Sequence, residues 1–376
     1  MRRMPLMQPY IPETAKAAVA DVLNTRWIGQ GPKVEAFERA FTDRVCRPSV
    51  AVGSCTDALH LAYLLAGIGP GDEVVAPLFT CTATNIPLLY CGATIRFADV
   101  APGSLNVSYE TVSQALTERT KAIVVVHYGG MKAQFLSADL PVIPIIEDCA
   151  QALGANVGND GDFACYSFQA VKHVTTGDGG MLVLPEEFAA KAKRMRWFGI
   201  DRAAKLSGTW SNDISEVGYK YQMTDVAAAM GLAGLGMLDW QIERRRALRD
   251  AYAAGLAGID GITMLDTDPE SACWLCTVLV NRREDFRRKL ACADIESDQV
   301  HYRNDRYSIF APFRGDFPNM DAIEGRYLCL PLHMGLTEED IVEICGVVRS
   351  GWYISRLSQR CRCAMNPKCR WSRLSS

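Results

Sequence analysis

Short apolar runs alternate along this chain with segments whose apolar residues recur every three or four positions. Residues 11–24 place Ala15, Ala18, Val19, Val22 and Leu23 on one helical face, and residues 33–45 do the same with Val34, Phe37, Phe41 and Val45. A turn-rich loop, Trp27-Ile28-Gly29-Gln30-Gly31-Pro32, separates them. A short strand is expected over 50–53, closed by Ser54-Cys55-Thr56-Asp57 and followed directly by a helix over 58–66. Strands over 73–76, 94–98, 122–127 and 141–147 then alternate with helices over 80–90 and 109–116. This order predicts an α/β fold with a largely parallel sheet covered on both faces.

Further on, residues 186–196 read as a basic helix, and 225–240 as an Ala/Gly-rich apolar helix running into the charged stretch 243–246. After about residue 245 the composition shifts. A strand over 273–280 and helices over 283–293 and 337–350 predict a smaller C-terminal α+β domain, 246–352, beside a large domain, 1–245. Residues 353–376 lack periodicity and carry Arg356, Arg360, Arg362, Lys368, Arg370 and Arg373 with no acid, so they are expected to form a disordered basic tail.

Composition changes this picture little. The 376 residues are 49% hydrophobic and 22% charged, with a net charge of −3, which gives no reason to expect a nucleic-acid partner. No apolar stretch approaches the ~20 residues that cross a membrane. The first residues lack the apolar run of a signal peptide, and the 14 cysteines are scattered without paired spacings. A cytoplasmic protein with reduced thiols is therefore expected. Cys273-Trp-Leu-Cys276 has the form of a C-x-x-C pair, but it lies in a strand with no second pair nearby, and no metal is expected there.

The candidate chemistry gathers around residues 163–180, FACYSFQAVKHVTTGDGG. Lys172 lies between two apolar strands, on a segment too glycine-rich for a helix. A lysine amine desolvated there loses basicity and attacks carbonyls; an ordinary surface lysine beside a turn is the plain alternative. Asp148 ends a buried strand, where α/β proteins place ligand contacts. Cys55 and Thr56 open a helix after a strand, an arrangement that aims backbone N–H groups at an anion, although Ser and Asp there also serve as simple caps.

Six stretches together resemble one family: WIGQGPKVEAFERAF, GSCTDALHLA, EDCAQALGA, SFQAVKHVTTGDGG, GYKYQMTDVAAAMGL and a late LPLH. The chain is similar, from about residue 27 to 352, to the DegT/DnrJ/EryC1/StrS sugar aminotransferases, in particular the perosamine-synthase type. The resemblance implies the fold type I of pyridoxal 5′-phosphate (PLP) enzymes: a large α/β/α domain and a smaller α+β domain. By position, Lys172 resembles the lysine bonded to the cofactor, and Asp148 the carboxylate that binds the pyridine nitrogen and so keeps the ring an electron sink. Gln151 resembles the residue packed beside the ring, and Ser167, Cys55 and Thr56 the phosphate site. The deoxygenating relatives carry histidine in place of the lysine; Lys172 is intact, which favours amination.

Three features depart from the family pattern. Cys81 stands where an aromatic ring often covers the cofactor, with Phe79 two residues away. Lys220 replaces the asparagine that reaches the cofactor phosphate of a neighbouring subunit. The connection from Gly154 to Gly161 is short. The resemblance implies a homodimer with shared sites, L-glutamate as amino donor, and a nucleotide-linked keto sugar as acceptor, of the 4-keto-6-deoxyhexose kind. His301, Tyr302 and Arg303 occupy the sugar-facing segment or serve the structure. The rival expectations are an aminotransferase of a cyclitol or aminoglycoside precursor, and a PLP-binding homologue without turnover.

Overall fold

The computed structural model describes residues 2–352 other than 138 and 212, so the expected basic tail lies outside the described residues. In chain order the elements are α1 (Glu13–Leu23), α2 (Pro32–Val45), β1 (Ser49–Val52), α3 (Cys55–Leu65), β2 (Glu73–Pro77), β3 (Phe79–Thr80), α4 (Thr82–Tyr90), β4 (Thr94–Ala98), α5 (Tyr109–Ala115), β5 (Thr120–Val126), β6 (Ile145–Asp148), β7 (Phe163–Ser167) and β8 (Gly180–Val183). They continue with α6 (Glu186–Met195), α7 (Arg202–Leu206), α8 (Asp225–Leu235), α9 (Leu238–Leu256), β9 (Ile262–Met264), β10 (Cys276–Val280), α10 (Arg283–Ala291), β11 (Tyr302–Arg303), α11 (Pro318–Ile323), β12 (Tyr327–Leu330) and α12 (Glu338–Arg349).

Seven strands form the main sheet in the order β1-β8-β7-β6-β5-β2-β4. Pairs β2/β4, β2/β5, β5/β6 and β6/β7 are parallel, and β8 runs against both of its neighbours. Side chains alternate across β7, as the twofold strand period requires. Phe163 and Cys165 enter one apolar cluster with α3, while Ala164 and Tyr166 enter another with α2. On the α2 side, Phe41 meets Tyr166 at 5.1 Å and Phe37 meets Phe168 at 5.0 Å between ring centres. Both faces are covered, which explains why these strands are nearly continuous apolar runs.

The helix expected over 225–240 is two helices. α8 ends at Gly236, and the chain restarts as α9 after Met237. A Cβ at Gly234 would lie 2.9 Å from Val174, so α8 needs a small residue there to approach the loop after β7. At the other end of α8, the buried Asp225 carboxylate accepts from the backbone N–H groups of Gly31, Lys33 and Val34, at 2.7–3.0 Å. It thus caps α2 from across the fold, and ties the WIGQGPK loop to the GYKYQMTD segment.

A second, antiparallel sheet, β12-β10-β9, packs with α9 and α12 around Leu248, Tyr252, Val278, Ile341 and Ile344. The division expected at residue 245 falls inside α9, whose residues after 245 enter this smaller core. The N-terminal segment docks here too: Met4 is buried, donates to Asp294 O and accepts from Glu296 N, both at 2.9 Å. A two-residue ladder, β11 with β3, brings residues 302–303 onto Phe79 and Thr80 at the carboxyl end of β2.

Candidate active site

The carboxyl end of β6 and the N-termini of α3 and α4 converge on Lys172, whose amine feels Asp148, Cys55 and Cys81. The loop that carries it is closed by its own backbone. Phe168 N–H donates to Gly179 O, Thr176 N–H to Phe168 O and Lys172 N–H to Gln169 O, all at 2.9 Å. His173 turns away from the site and bonds Ala272 O through Nε2 at 2.8 Å, which fixes this loop to the segment before β10. That bond requires the proton on Nε2. Burial, together with the nearby Arg245 charge, holds His173 far below the usual histidine range, and so neutral.

Burial pulls the Lys172 amine from its ordinary 10.5 down to about 8, against the opposing influence of Asp148, Cys81 and Cys55. Its Nζ lies 3.5 Å from the centre of the Trp274 ring. Asp148 is buried, and burial pushes its carboxyl up. The Thr84 hydroxyl, donating to Oδ2 at 2.6 Å, and Ala150 N–H, donating to Oδ1 at 3.0 Å, favour the ionised form, as does the Lys172 charge. The mutual influence of Lys172, Asp148 and Cys55 places all three in one electrostatic site.

The helix-start reading of Cys55 and Thr56 and the cap reading hold together. Ser54 is the N-cap of α3 and accepts from Asp57 N–H, while Cys55 and Thr56 form its first turn. A Cβ at Gly180 would collide with the Ser54 carbonyl, so the glycines after Lys172 let β8 pass directly beneath this helix start. Ser167 ends β7 and accepts from Gln169 N–H at 3.3 Å. Gln151 is buried, and its Oε1 accepts from Gly129 N–H at 2.8 Å.

Other expected residues divide. Cys81 is half-buried at the start of α4 and close enough to act on the Lys172 amine. Phe79 takes no part in covering the site: it is fully buried, edge-on to Tyr128 at 5.2 Å and to Tyr327 at 5.0 Å. His301 stacks with Trp274 at 5.9 Å and 23°, and burial with the Lys172 charge pushes it down to about 3. Its buried Nε2 has no hydrogen-bond partner among the described residues. Tyr302 is half-buried, with the Arg306 guanidinium 4.3 Å from its ring centre. Arg303 serves the structure. Its guanidinium is bidentate to Asp305, at 2.7 and 2.8 Å, and also pairs with Asp321 and Glu324, leaving it committed to acids rather than turned to Lys172. Lys220 is exposed, in a bridge with Trp197. The Gln222 side-chain oxygen, oriented to suit its neighbours, accepts from Lys220 Nζ and from Trp197 Nε1, both at 2.9 Å.

The residue before Asp148 works on the opposite side of β6. Glu147 accepts from His127 Nε2 and Gly158 N–H at 2.9 Å, from Asp160 N–H at 2.9 Å and from Gly161 N–H at 2.6 Å. His127 Nδ1 accepts from Ala133 N–H at 3.1 Å. With Cys149 these groups lie within 4.8 Å of one another, yet the His127 and Glu147 positions are filled by hydrogen bonds, and the trio reads as structural. This carboxylate closes the short 154–161 connection. Cys273 and Cys276 are buried free thiols, and burial pushes Cys273 up to about 12 and Cys276 well above the usual thiol range, so neither is poised as a thiolate.

An amine of lowered basicity, a buried carboxylate beside it, and a helix start flanked by hydroxyls and close-packed glycines suit a pyridine ring bearing an aldehyde and a phosphate. The fold and this donor set define a PLP enzyme of fold type I. The chain belongs to the DegT/DnrJ/EryC1/StrS aminotransferase family, whose model matches residues 9–349, and it is a PLP-dependent sugar aminotransferase. It is 31% identical to the GDP-perosamine synthase of Escherichia coli O157:H7, over 92% of this chain and 97% of that protein. To the UDP-4-amino-4-deoxy-L-arabinose–oxoglutarate aminotransferase of Shewanella sediminis (strain HAW-EB3) it is 29% identical, over 92% and 97%. The crystal structure of AtS13 from Actinomadura melliaura superposes with a TM-score of 0.88 at 36% identity, covering 94% of this chain and 100% of that one. No helix among the described residues is long and apolar enough to cross a membrane.

Proposed function

We propose that the chain moves the amino group of L-glutamate to the keto carbon of a nucleotide-linked 4-keto-6-deoxyhexose. The observation that carries this reading is the meeting of a depressed-pKa lysine, Lys172, with the buried carboxylate of Asp148 at the strand ends. When bound, PLP supplies the electron sink for a carbanion at the reacting carbon. Asp148 would keep a proton on the ring nitrogen. Ser167, Cys55, Thr56 and the N–H groups of α3 would bind the phosphate, and Gln151 and Cys81 would pack beside the ring. Lys172 Nζ takes the proton from the α carbon of glutamate, and in the second half-reaction delivers one to the sugar carbon that gains nitrogen. The neutral His301, whose Nε2 has no partner among the described residues, suits a sugar hydroxyl, with Tyr302 beside it; Arg303 shapes this segment through its ion cluster. The names of the Escherichia coli and Shewanella relatives support a nucleotide-sugar acceptor, and the latter an oxoglutarate-linked donor.

The active unit in this reading is a homodimer in which Lys220 reaches the phosphate in its partner's site. The surface around Lys220 supports it: Phe198, Ile214, Trp210 (77% exposed) and Val217 (74% exposed) form apolar ground that a second copy would cover. Glutamate-dependent amination of a panel of nucleotide-linked keto sugars, with products identified by mass spectrometry, tests the assignment. Formation of a 4-amino-6-deoxyhexose nucleotide is expected. Amination of a cyclitol ketone and of none of the nucleotide sugars would overturn it.

A further inference from the structure

Trp274 lies in CWLC, the segment that leads into β10, and is held by bonds to three separate parts of the fold. Its backbone N–H donates to Gly129 O at 2.8 Å, and the Leu275 N–H donates to the same oxygen at 3.1 Å. A Cβ at Gly130 would lie 2.7 Å from Cys273 N, so this approach needs glycine. Gln151 holds Gly129 in turn, through Oε1. The buried Arg245 donates to the carbonyls of Cys273 at 3.2 Å and Leu332 at 3.1 Å. Cys273 itself sits at φ 49°, a conformation that a side-chain-bearing residue keeps only where its surroundings impose it. The indole Nε1–H donates to Val171 O at 3.0 Å, which ties the ring to the residue before Lys172.

The product of these constraints is a rigid aromatic face with the Lys172 Nζ 3.5 Å from its centre. Resting on the assignment of Lys172 as the cofactor-bonded lysine, we propose that the Trp274 ring is the docking place of the Lys172 amine whenever that amine is not bonded to the cofactor. Trp274 is then a positioning residue for the proton-transferring base. An ammonium is attracted to the negative face of an indole, and the attraction strengthens when water is excluded. The free amine is thereby held in one place between its two proton transfers instead of swinging through the cavity. The groups that also act on this amine are Asp148, Cys81 and Cys55, and His301, stacked on the same indole, is neutral and offers no competing charge.

The test uses the full-length chain loaded with pyridoxamine 5′-phosphate, which occupies the site and leaves the lysine unbonded. Trace acylation across pH, read by peptide mapping, gives the ionisation of Lys172 alone. In Trp274→Met, which fills similar space without a ring, the inflection is expected to fall by about half a unit to one unit, since the charged form loses its partner. Trp274→Phe keeps a ring face and is expected to stay nearer the wild type. A Met profile that coincides with the wild type, or a Phe profile that coincides with Met, would overturn the proposal. Should Trp274→Met fail to fold, tetrafluorotryptophan at position 274 preserves the shape and weakens the face; an unmoved inflection then overturns it equally. Failure of the underlying assignment is separate, and shows as borohydride labelling of a lysine other than Lys172 in the PLP-loaded wild type.

Discussion

Thr84 Oγ1 donates to Asp148 Oδ2 at 2.6 Å, within the shared interior of α4 and β6. The same hydroxyl lies 2.8 Å from Thr80 Oγ1, so one threonine from β3 and one from the first turn of α4 line up behind the carboxylate. Burial pushes Asp148 up, and this bond is the foremost influence drawing it back. Thr84→Val keeps the volume and removes the donor. Asp148 then ionises only at higher pH, so the acid limb of the pH–rate profile moves upward. A hydrogen bond to a charged group contributes about 1.5–3 kcal/mol, so turnover at neutral pH is expected to fall by roughly ten- to a hundredfold. An unchanged profile would assign Thr84 to packing alone.

The buried amine of Lys172 costs stability while no cofactor is bound. Its folded pKa of about 8 lies below the ordinary 10.5, so the unfolded chain binds the proton more tightly. The penalty is fully present below about pH 8 and fades as pH rises towards 10.5. Cofactor-free Lys172→Met is therefore expected to be more stable than the wild type at pH 7, by roughly 2–3 kcal/mol, and the advantage should shrink by pH 10. Denaturant unfolding at both pH values checks this.

Glu147 is expected to act on stability with the opposite sign. Burial pushes it up, but His127 and the N–H groups of Gly161 and Gly158 outweigh this and leave its carboxyl below the usual range. Its contribution is present above the ordinary carboxyl pKa and is lost as pH falls through the depressed folded value. Glu147→Gln sets an amide donor against backbone donors and breaks the His127 pair. A loss of about 3 kcal/mol is expected at pH 7, shrinking towards pH 4. Thermal melting across this range would expose an equal loss at both ends, which would contradict the ionic role.

Lys220 is tested by pairing two inactive variants. Lys172→Ala and Lys220→Ala chains, mixed and reassociated, form mixed dimers with one intact site if Lys220 serves its partner. Part of the activity is then regained. No regain, in mixtures shown to exchange subunits, would confine Lys220 to its own chain or to the surface.

The elements of the large domain are legible in the sequence because each is a local pattern. The apolar runs became β1, β2, β4 and β5, and the periodic segments became α1, α2 and α5. The break between α8 and α9, at Gly236 and Met237, was not legible, because the apolar run continues across it into Leu238. Lys172 and Asp148 stand out because a lysine and an acid at the ends of apolar strands are odd in any sequence. Their partners do not. Thr84 is 64 residues from Asp148, and Trp274 is 103 residues from the Val171 carbonyl it binds. The local signal for Trp274 is a tryptophan between the two cysteines of a C-x-x-C run. For Arg303 the sequence leaves a sugar contact, implied by resemblance, and a structural role both open, because Asp321 and Glu324, which pair with it, lie far along the chain.

Borohydride reduction of the PLP-loaded wild type, followed by peptide mapping, asks directly whether Lys172 is the reactive lysine of a sugar aminotransferase. One labelled lysine is expected, Lys172, with no label on the folded Lys172→Ala chain. A label on any other lysine, or one that survives in Lys172→Ala, would contradict the assignment.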